Sequence, residues 1–307
     1  MGCIEKIGNI ELNLKNYSGE DLYSDGDIED VLLNIVMEHD EAEYNDIISG
    51  SQNWAILYHL SHMRQNIVEI LPIYKSHEVL EIGSGCGAIT GMLAKKSNHV
   101  DCIELSKKRS TINAYRNKMY DNITINVGNF EDVEKRIEKK YDYITLIGVL
   151  EYGASYIKSS TPYCDFLKMI KKHLKEDGKI VIAIENKLGL KYFAGCREDH
   201  TGMVFEGIEG YTNTSRVRTF SKKELTDLLS ESGFVKSTFY YPYPDYKLPK
   251  VIYSDEFLPG IGELNDNLCN YDGDRLVLFD ESKVYDSLIR ENLFPEFSNS
   301  FLVVGEM

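Results

Sequence analysis

The stretch LEIGSGCGAITG, Leu80 to Gly91, places four glycines within twelve residues directly behind an apolar run. Glycine is used where the backbone must take a positive φ or let a ligand lie against it. A strand that ends in such a loop and continues into a helix is the opening unit of an α/β sheet that binds a nucleotide-like ligand beside its backbone. The rest of the chain has to be compatible with that unit.

It is. Strand-like segments at EVLEI (78–82), VDCIE (100–104), ITINV (123–127), YDYITLI (141–147) and KIVIAIE (179–185) alternate with helices starting near Ala88, Ser106, Glu131 and Pro162. The simplest topology is a doubly wound, mostly parallel sheet with crossover helices, its strands apolar enough for burial on both faces. The helix at Pro162 is expected to end before a turn at Glu176-Asp177-Gly178. One helix, Asn53 to Leu71, precedes the first of these strands, with apolar residues at helical spacing. Beyond Glu185 the rhythm breaks into a glycine-containing insertion, 186–218, of the kind that forms binding surface. Order resumes at SKKELTDLLSESGF, where Ser221 and Glu224 form a capping box and Gly233 stands as the C-cap glycine. STFYYPY and the final NSFLVVGE read as strands.

Gly83, Gly85 and Ala88 satisfy the loose dinucleotide pattern G-x-G-x-x-G/A, and Glu104, twenty-one residues after Gly83, stands where an acidic residue takes ribose hydroxyls. NAD and S-adenosylmethionine both carry that ribose. Glu81 separates them: a carboxylate two residues before the first glycine opposes a pyrophosphate and favours the ammonium and sulfonium of S-adenosylmethionine.

LEIGSGCGAITG, IEL (103–105), VGNFED (127–132) and YDYITLIGVLEY (141–152) resemble the successive motifs of class I, seven-stranded S-adenosylmethionine-dependent methyltransferases, over about residues 53–240 plus the last strand. The resemblance implies a Rossmann-like α/β fold with a seven-stranded sheet, an N-terminal helical extension and insertions after strands 5 and 6. It also implies site residues: Glu81, Gly83, Gly85 and Gly87 around the methionine part, Glu104 with the adjoining Leu105 at the ribose, and Asn129 and Phe130 at the adenine. Asn129 stands where many members have Asp. Gly148 to Leu150 would lie beside the reactive methyl, and Glu151 would either contact the cofactor or cap the next helix. In the preceding helix, His59, Ser61 and Arg64 are in range of the cofactor's carboxylate, with Arg64 the residue of choice. S-adenosylhomocysteine would be the product.

The acceptor wall is expected from the insertion, which holds Lys187, Lys191, Tyr192, Arg197, Glu198, Asp199 and His200. His200 is the natural base, oriented by Asp199 or Glu198. IENKLGLKYFAGCREDHTG, GIEGY and FYYPYPDYKLP also resemble a narrower group of bacterial methyltransferases, whose relatives sit among genes for surface-glycan assembly and, in some cases, modified-peptide biosynthesis. That resemblance implies O-methylation, first of a peptide C-terminal carboxylate positioned by Arg197, Arg216 or Arg218, alternatively of a sugar hydroxyl served by His200. Lys187, Tyr192 and Tyr243 complete the expected acceptor-binding set, Tyr243 within a tyrosine cluster (240, 241, 243, 246) that core packing also explains in part. An NAD-dependent oxidoreductase and a non-catalytic module that recruits a partner through its acidic leader are the rival readings.

Residues 1–50 hold thirteen Asp or Glu against two Lys, a balance of −11 out of the chain's −15. The expected organisation is therefore an acidic leader or cap, 1–50, and a methyltransferase domain, 51–307, with acceptor insertions near 186–218 and 242–298. Nucleic acid is not an expected partner, since such a binder presents cations to phosphate and the N/D-P-P-Y/F motif common for amino acceptors is missing: Asn186 is followed by Lys-Leu-Gly. The six cysteines show no C-x-x-C spacing, so neither zinc nor a disulfide framework is expected, and no metal. Lys6 stands where N-myristoylation after Gly2 wants Ser or Thr. With no apolar run near the ~18 residues of a membrane helix and no signal-peptide start, the expected location is cytoplasmic.

Overall fold

The computed structural model describes residues 4–21, 23–212, 216–266 and 275–307. Gly2, Cys3 and Cys269, with the parts of the two expected insertions at 213–215 and 267–274, lie outside the described residues. The chain divides into two compact units: Met1–Leu146 with Ile170–Ile180, and Ile147–Met169 with Val181–Met307. The strands are β1 (Ile4–Ile7), β2 (Ile10–Asn16), β3 (Glu78–Ile82), β4 (His99–Glu104), β5 (Ile123–Gly128), β6 (Tyr141–Ile147), β7 (Leu174–Glu185), β8 (Lys236–Tyr243), β9 (Val251–Ser254) and β10 (Ser300–Glu306). They form one sheet of ten described strands in the order β1-β2-β5-β4-β3-β6-β7-β10-β8-β9.

In the first unit β3 pairs in parallel with β4 and with β6, Glu81 standing opposite Cys102 on one side and Thr145 on the other. The order reverses at β3, and the carboxyl ends of strands at such a switch point are where open α/β sheets bind ligands. Val79, Leu80, Val100, Cys102, Ile125, Val127, Ile144 and Leu146 are all fully buried. Burial on both faces explains the unbroken apolar strands.

Seven of the ten strands are those expected; β1, β2 and β9 are additional. The first two come from the leader. β1 and β2 form an antiparallel hairpin, and β2 continues in parallel beside β5, with Leu12 opposite Ile125. The acidic helix that follows (Ile28–Glu38) buries Leu32 and Val36 against Tyr44, Ile56, Leu60, Cys86 and Ile112. Its acids meet the basic start of the helix Lys107–Arg116: Arg109 Nε donates to the buried Glu29, Lys108 pairs with Asp30, and Asp21 accepts from the backbone N–H groups of Lys107 and Lys108. The leader's net charge reads as solvation, yet alternate residues of β2 and one stripe of the helix are apolar, and those are what pack.

The expected single helix over 53–71 is three short pieces, Trp54–Leu60, His62–Gln65 and Asn66–Glu69. Ser61 adopts an extended conformation and accepts from the Met63 N–H, so it caps a new turn rather than continuing the old one. The expected turn at 176–178 lies inside β7. A side chain at Gly178 would come within 2.8 Å of the Tyr141 carbonyl oxygen, so this acidic-glycine segment lies close against the chain beside it rather than turning away.

In the second unit β10 runs antiparallel to β8, and β8 antiparallel to β9. The helix Lys222–Glu231 has the anticipated capping box of Ser221 and Glu224, and Gly233 ends it at φ 90°. Tyr241 is fully buried, and Tyr243 and Tyr246 nearly so. Among the described residues no helix is long and apolar enough to cross a membrane. The four described cysteines are buried free thiols.

If the leader is part of the packed sheet, Leu12→Ala should cost about 2 to 5 kcal/mol, as truncation of a buried leucine does. Chemical denaturation of the full chain measures it; a loss near zero would return the leader to the role of a solvated cap.

Candidate functional site

In the first unit the loop after β3 carries three glycines at positive φ: Gly83 at 72°, Gly85 at 51° and Gly87 at 76°. The reasons differ. At Gly85 a Cβ would meet nothing within 4 Å, so the loop's face is open there. At Gly87 a Cβ would lie 2.4 Å from Asn113 Oδ1 and 2.7 Å from Asn117 Nδ2. Those two asparagines, one turn apart on the helix Lys107–Arg116 and its C-cap, belong to a buried polar chain under the loop. Asn117 Nδ2 donates to Asn113 Oδ1 (2.8 Å), Asn113 Nδ2 to Thr90 Oγ1 (3.1 Å), and Thr90 Oγ1 to Glu81 Oε2 (2.6 Å).

Glu81 is only 4% exposed. Burial pushes its pKa up to about 7, against the hydrogen bonds from Thr90 and Cys102, with the nearby Glu104 adding to the rise. Glu104, at the tip of β4, accepts from the Gly85 N–H (2.8 Å) and the Ser106 N–H (2.9 Å), and burial raises its pKa despite them. Leu105 is half-buried beside it. Asn129 caps the helix Phe130–Glu134 by accepting from the Glu131 N–H, and Phe130 is buried. Arg64 is buried, with its guanidinium 4.3 Å over the Tyr58 ring and a hydrogen bond to the Tyr58 hydroxyl.

Two buried carboxylates and an open glycine turn suit a ligand that brings positive charge and no phosphate. The buried Ser84 hydroxyl, without a hydrogen-bond partner, adds a polar group at the same turn. S-adenosylmethionine fits this set. Glu104 would hold its ribose and the loop glycines its methionine part. Sequence reading missed Thr90, Asn113 and Asn117; the only signal for them was the i, i+4 pair of asparagines on a helix after the glycine loop.

In the second unit Gly148, at φ 69°, leads into a short turn, Leu150–Tyr152, and a Cβ on it would come 2.9 Å from the Tyr246 hydroxyl and 3.6 Å from Glu151 Oε1. Glu151 is buried, and His200 Nε2 lies 3.6 Å from its Oε1. On the other side of the ring, His200 Nδ1 lies 3.0 Å from Glu198 Oε1. Glu198 is itself fixed by the N–H groups of His200 and Thr201 and by the Tyr211 hydroxyl. Burial alone would lower the His200 pKa; Glu151 and Glu198 outweigh it and hold the imidazole well above its usual range.

Asp199 is not the residue that orients His200. It accepts from Tyr192 and pairs with Lys191 and Lys247, while Lys191 also pairs with Asp245 and Lys247 with Glu185. Arg197 is exposed and donates to the Gly202 carbonyl. Arg218 and Lys187 both reach Glu224, and Arg216 is exposed. Tyr243 donates to the Asp266 carbonyl. The insertion thus converges on His200 and its glutamates rather than on its arginines.

Residues 57–237 match the family described as a methyltransferase domain. The chain belongs to that family. Its cofactor is S-adenosylmethionine. This methyltransferase chain is 27% identical over 127 residues to ribosomal RNA small subunit methyltransferase A of Syntrophus aciditrophicus, covering 40% of this chain and 42% of that protein. It is 30% identical over 151 residues to protein-L-isoaspartate O-methyltransferase 2 of Archaeoglobus fulgidus, covering 47% and 60% respectively. In both cases the match spans less than two thirds of the relative. Among solved structures, phosphoethanolamine N-methyltransferase 1 of Haemonchus contortus, in complex with phosphoethanolamine and S-adenosylhomocysteine, aligns with a TM-score of 0.48 at 15% identity, over 91% of this chain and 49% of that one.

Gly87→Ala should weaken S-adenosylhomocysteine binding tenfold or more by calorimetry, since a strained φ alone costs about 1 to 3 kcal/mol and the new methyl also displaces Asn113. Gly85→Ala should lose less, because only the φ strain applies. Glu81 gives a pH signature. Unfolded, its carboxyl ionises near 4.5; folded, it keeps its proton to about 7. The folded state therefore binds more protons across that window, and this group's contribution to stability falls as pH rises through it. The melting temperature of Glu81→Gln relative to wild type should climb between pH 4.5 and 7; a flat difference would mean Glu81 ionises normally.

Proposed function

We propose that the chain transfers a methyl group from S-adenosylmethionine to a hydroxyl-bearing acceptor that carries no negative charge of its own, a sugar being the class best matched. S-adenosylmethionine, when bound, supplies an electrophilic methyl on a sulfonium. What the chain has to add is placement of the acceptor oxygen, exclusion of water and a group to receive the hydroxyl proton.

The observation that carries this reading is the charge beside Gly148 to Leu150, the segment that the family resemblance associates with the methyl group. Glu151 and Glu185 are buried there, each with a carboxylate oxygen that has no hydrogen-bond partner. Such an oxygen can receive a proton. It would repel a carboxylate acceptor, and of the three arginines first assigned to position one, Arg197 and Arg218 are engaged by Gly202 and Glu224 and Arg216 is exposed. His200, held by Glu198, serves to position Glu151 and the acceptor. The resemblance to methyltransferases of surface-glycan assembly agrees with a sugar; the modified-peptide carboxylate becomes the weaker alternative.

Turnover of the full chain with a panel of glycosides and of peptides with free C-terminal carboxylates separates the two. The expected product is an alkali-stable methyl ether, and Glu151→Gln should cut kcat by about 10²- to 10⁴-fold, the usual size of acid–base assistance, with donor affinity unchanged. An alkali-labile methyl ester formed faster than any ether would overturn the reading.

A further inference from the structure

We propose that Glu151, Glu185 and His200 form a binding site for one divalent transition-metal ion of the Mn2+, Fe2+ or Zn2+ class. Each offers one ligand atom, and the three atoms lie within 4.8 Å of one another. They arrive from three separate segments: the turn after β6, the end of β7 and the insertion. The side chains of Glu151 and Glu185 are 1% and 0% exposed, and that of His200 9%.

Three further observations point to a cation. First, Glu151 Oε2 and Glu185 Oε2 are buried with no hydrogen-bond partner, which costs free energy unless something compensates. Second, the connected cluster contains five carboxylates, Glu151, Glu185, Glu198, Asp199 and Asp245, against the ammonium groups of Lys191 and Lys247 and the imidazole of His200, a surplus of two negative charges even with that imidazole protonated. Lys247 already lies 2.7 Å from Glu185 Oε1, which leaves that residue's second oxygen uncompensated. A buried surplus of negative charge is expensive without a counter-ion.

Third, the imidazole is held as a ligand would be. Glu198 takes the Nδ1 side at 3.0 Å and is itself locked by two backbone N–H groups and the Tyr211 hydroxyl, so Nε2 is directed toward Glu151 at 3.6 Å, beyond a normal hydrogen bond. A carboxylate behind a histidine, fixing its free nitrogen, is the usual support of a metal-bound imidazole. One nitrogen and two carboxylates select borderline metals over Ca2+ and Mg2+, which take oxygen ligands. The expectation of no metal rested on cysteine spacing, and this site uses no cysteine. The site goes beyond the hydroxyl-acceptor reading: that reading uses Glu151 with its oxygen free, whereas a bound ion would take up that oxygen and itself polarise the acceptor.

The test uses the full chain, stripped with a chelator and dialysed, titrated with Mn2+ alone and followed by the paramagnetic resonance of free Mn2+. One ion per chain is expected, with Glu185→Gln and His200→Ala each weakening it about tenfold or more. Asp165→Asn, a surface variant, should leave it unchanged. Glu185→Gln must also retain S-adenosylhomocysteine binding, which excludes unfolding as the cause of a loss. Absence of stoichiometric Mn2+ binding, or equal binding by Glu185→Gln, would overturn the proposal and leave the cluster an ion-pair network only. If Mn2+ fails to bind while ether product still forms, only this inference falls; if Mn2+ binds and the product is an ester, the hydroxyl reading falls and the site stands.

Discussion

The hydrogen bond from Thr90 to Glu81 governs the first unit. It places a carboxylate inside the protein directly before the glycine loop, and it is continued by Asn113 and Asn117, so the loop rests on a polar chain rather than on apolar packing. Each link leaves little freedom. Gly87 has to lack a side chain because Asn113 is already there, and Gly91 because Asn117 Oδ1 would lie 2.5 Å from its Cβ. The loop therefore keeps its shape without a ligand, and the open face at Gly85 is presented ready-made, which reduces the ordering cost of binding.

The second unit solves a different electrostatic problem. The insertion after β7 itself holds five Lys or Arg against four Asp or Glu, but its Glu198 and Asp199 meet Glu151, Glu185 and Asp245 from outside it, and four of these five carboxylates are buried. Lys191 and Lys247 neutralise the Asp199 and Asp245 side of the cluster, and burial, which would by itself lower the Lys191 pKa, is outweighed by those two aspartates. On the Glu151 and Glu185 side, Lys247 faces one Glu185 oxygen and His200 stands between Glu151 and Glu198, while Glu151 Oε2 and Glu185 Oε2 are left without a hydrogen-bond partner. The proposed chemistry starts from those two oxygens: they suit a cation or an incoming proton, and on that reading they disfavour an anionic acceptor.

Legibility in the sequence followed how local each signal was. β3, with its period and its glycine turn, coincides with the expected 78–82, and the Ser221–Glu224 capping box is a four-residue pattern read directly. The broken helix after Asn53 was missed because Ser61's preference for capping outweighs an apolar periodicity that continues through it. The alternation of Ile10 and Leu12 in IGNIELNL is legible, but not its place in the sheet: the leader's acidity reads as a solvated cap, and the pairing with β5 joins residues more than a hundred positions apart. In the site, Glu81 and Glu104 were readable since strand ends fix their place. Asp199 and Glu198 could not be told apart, because which neighbour reaches His200 depends on a turn that sends one toward Lys191 and the other back to the ring. Thr90 and Asn113 lie twenty-three residues apart and meet only through the fold.

The central claim is that a buried carboxylate, held by Thr90, shapes the cradle for a cationic, phosphate-free donor. Calorimetric titration of the full chain and of Thr90→Val with S-adenosylmethionine, and of the full chain with NADH, addresses it most directly. The account predicts one S-adenosylmethionine per chain, affinity reduced about tenfold or more in Thr90→Val, since the loss leaves Glu81 with only the Cys102 thiol as donor and the Asn113 amide N–H without its acceptor, and no heat with NADH. Unchanged affinity in Thr90→Val, or saturable binding of NADH, would contradict it.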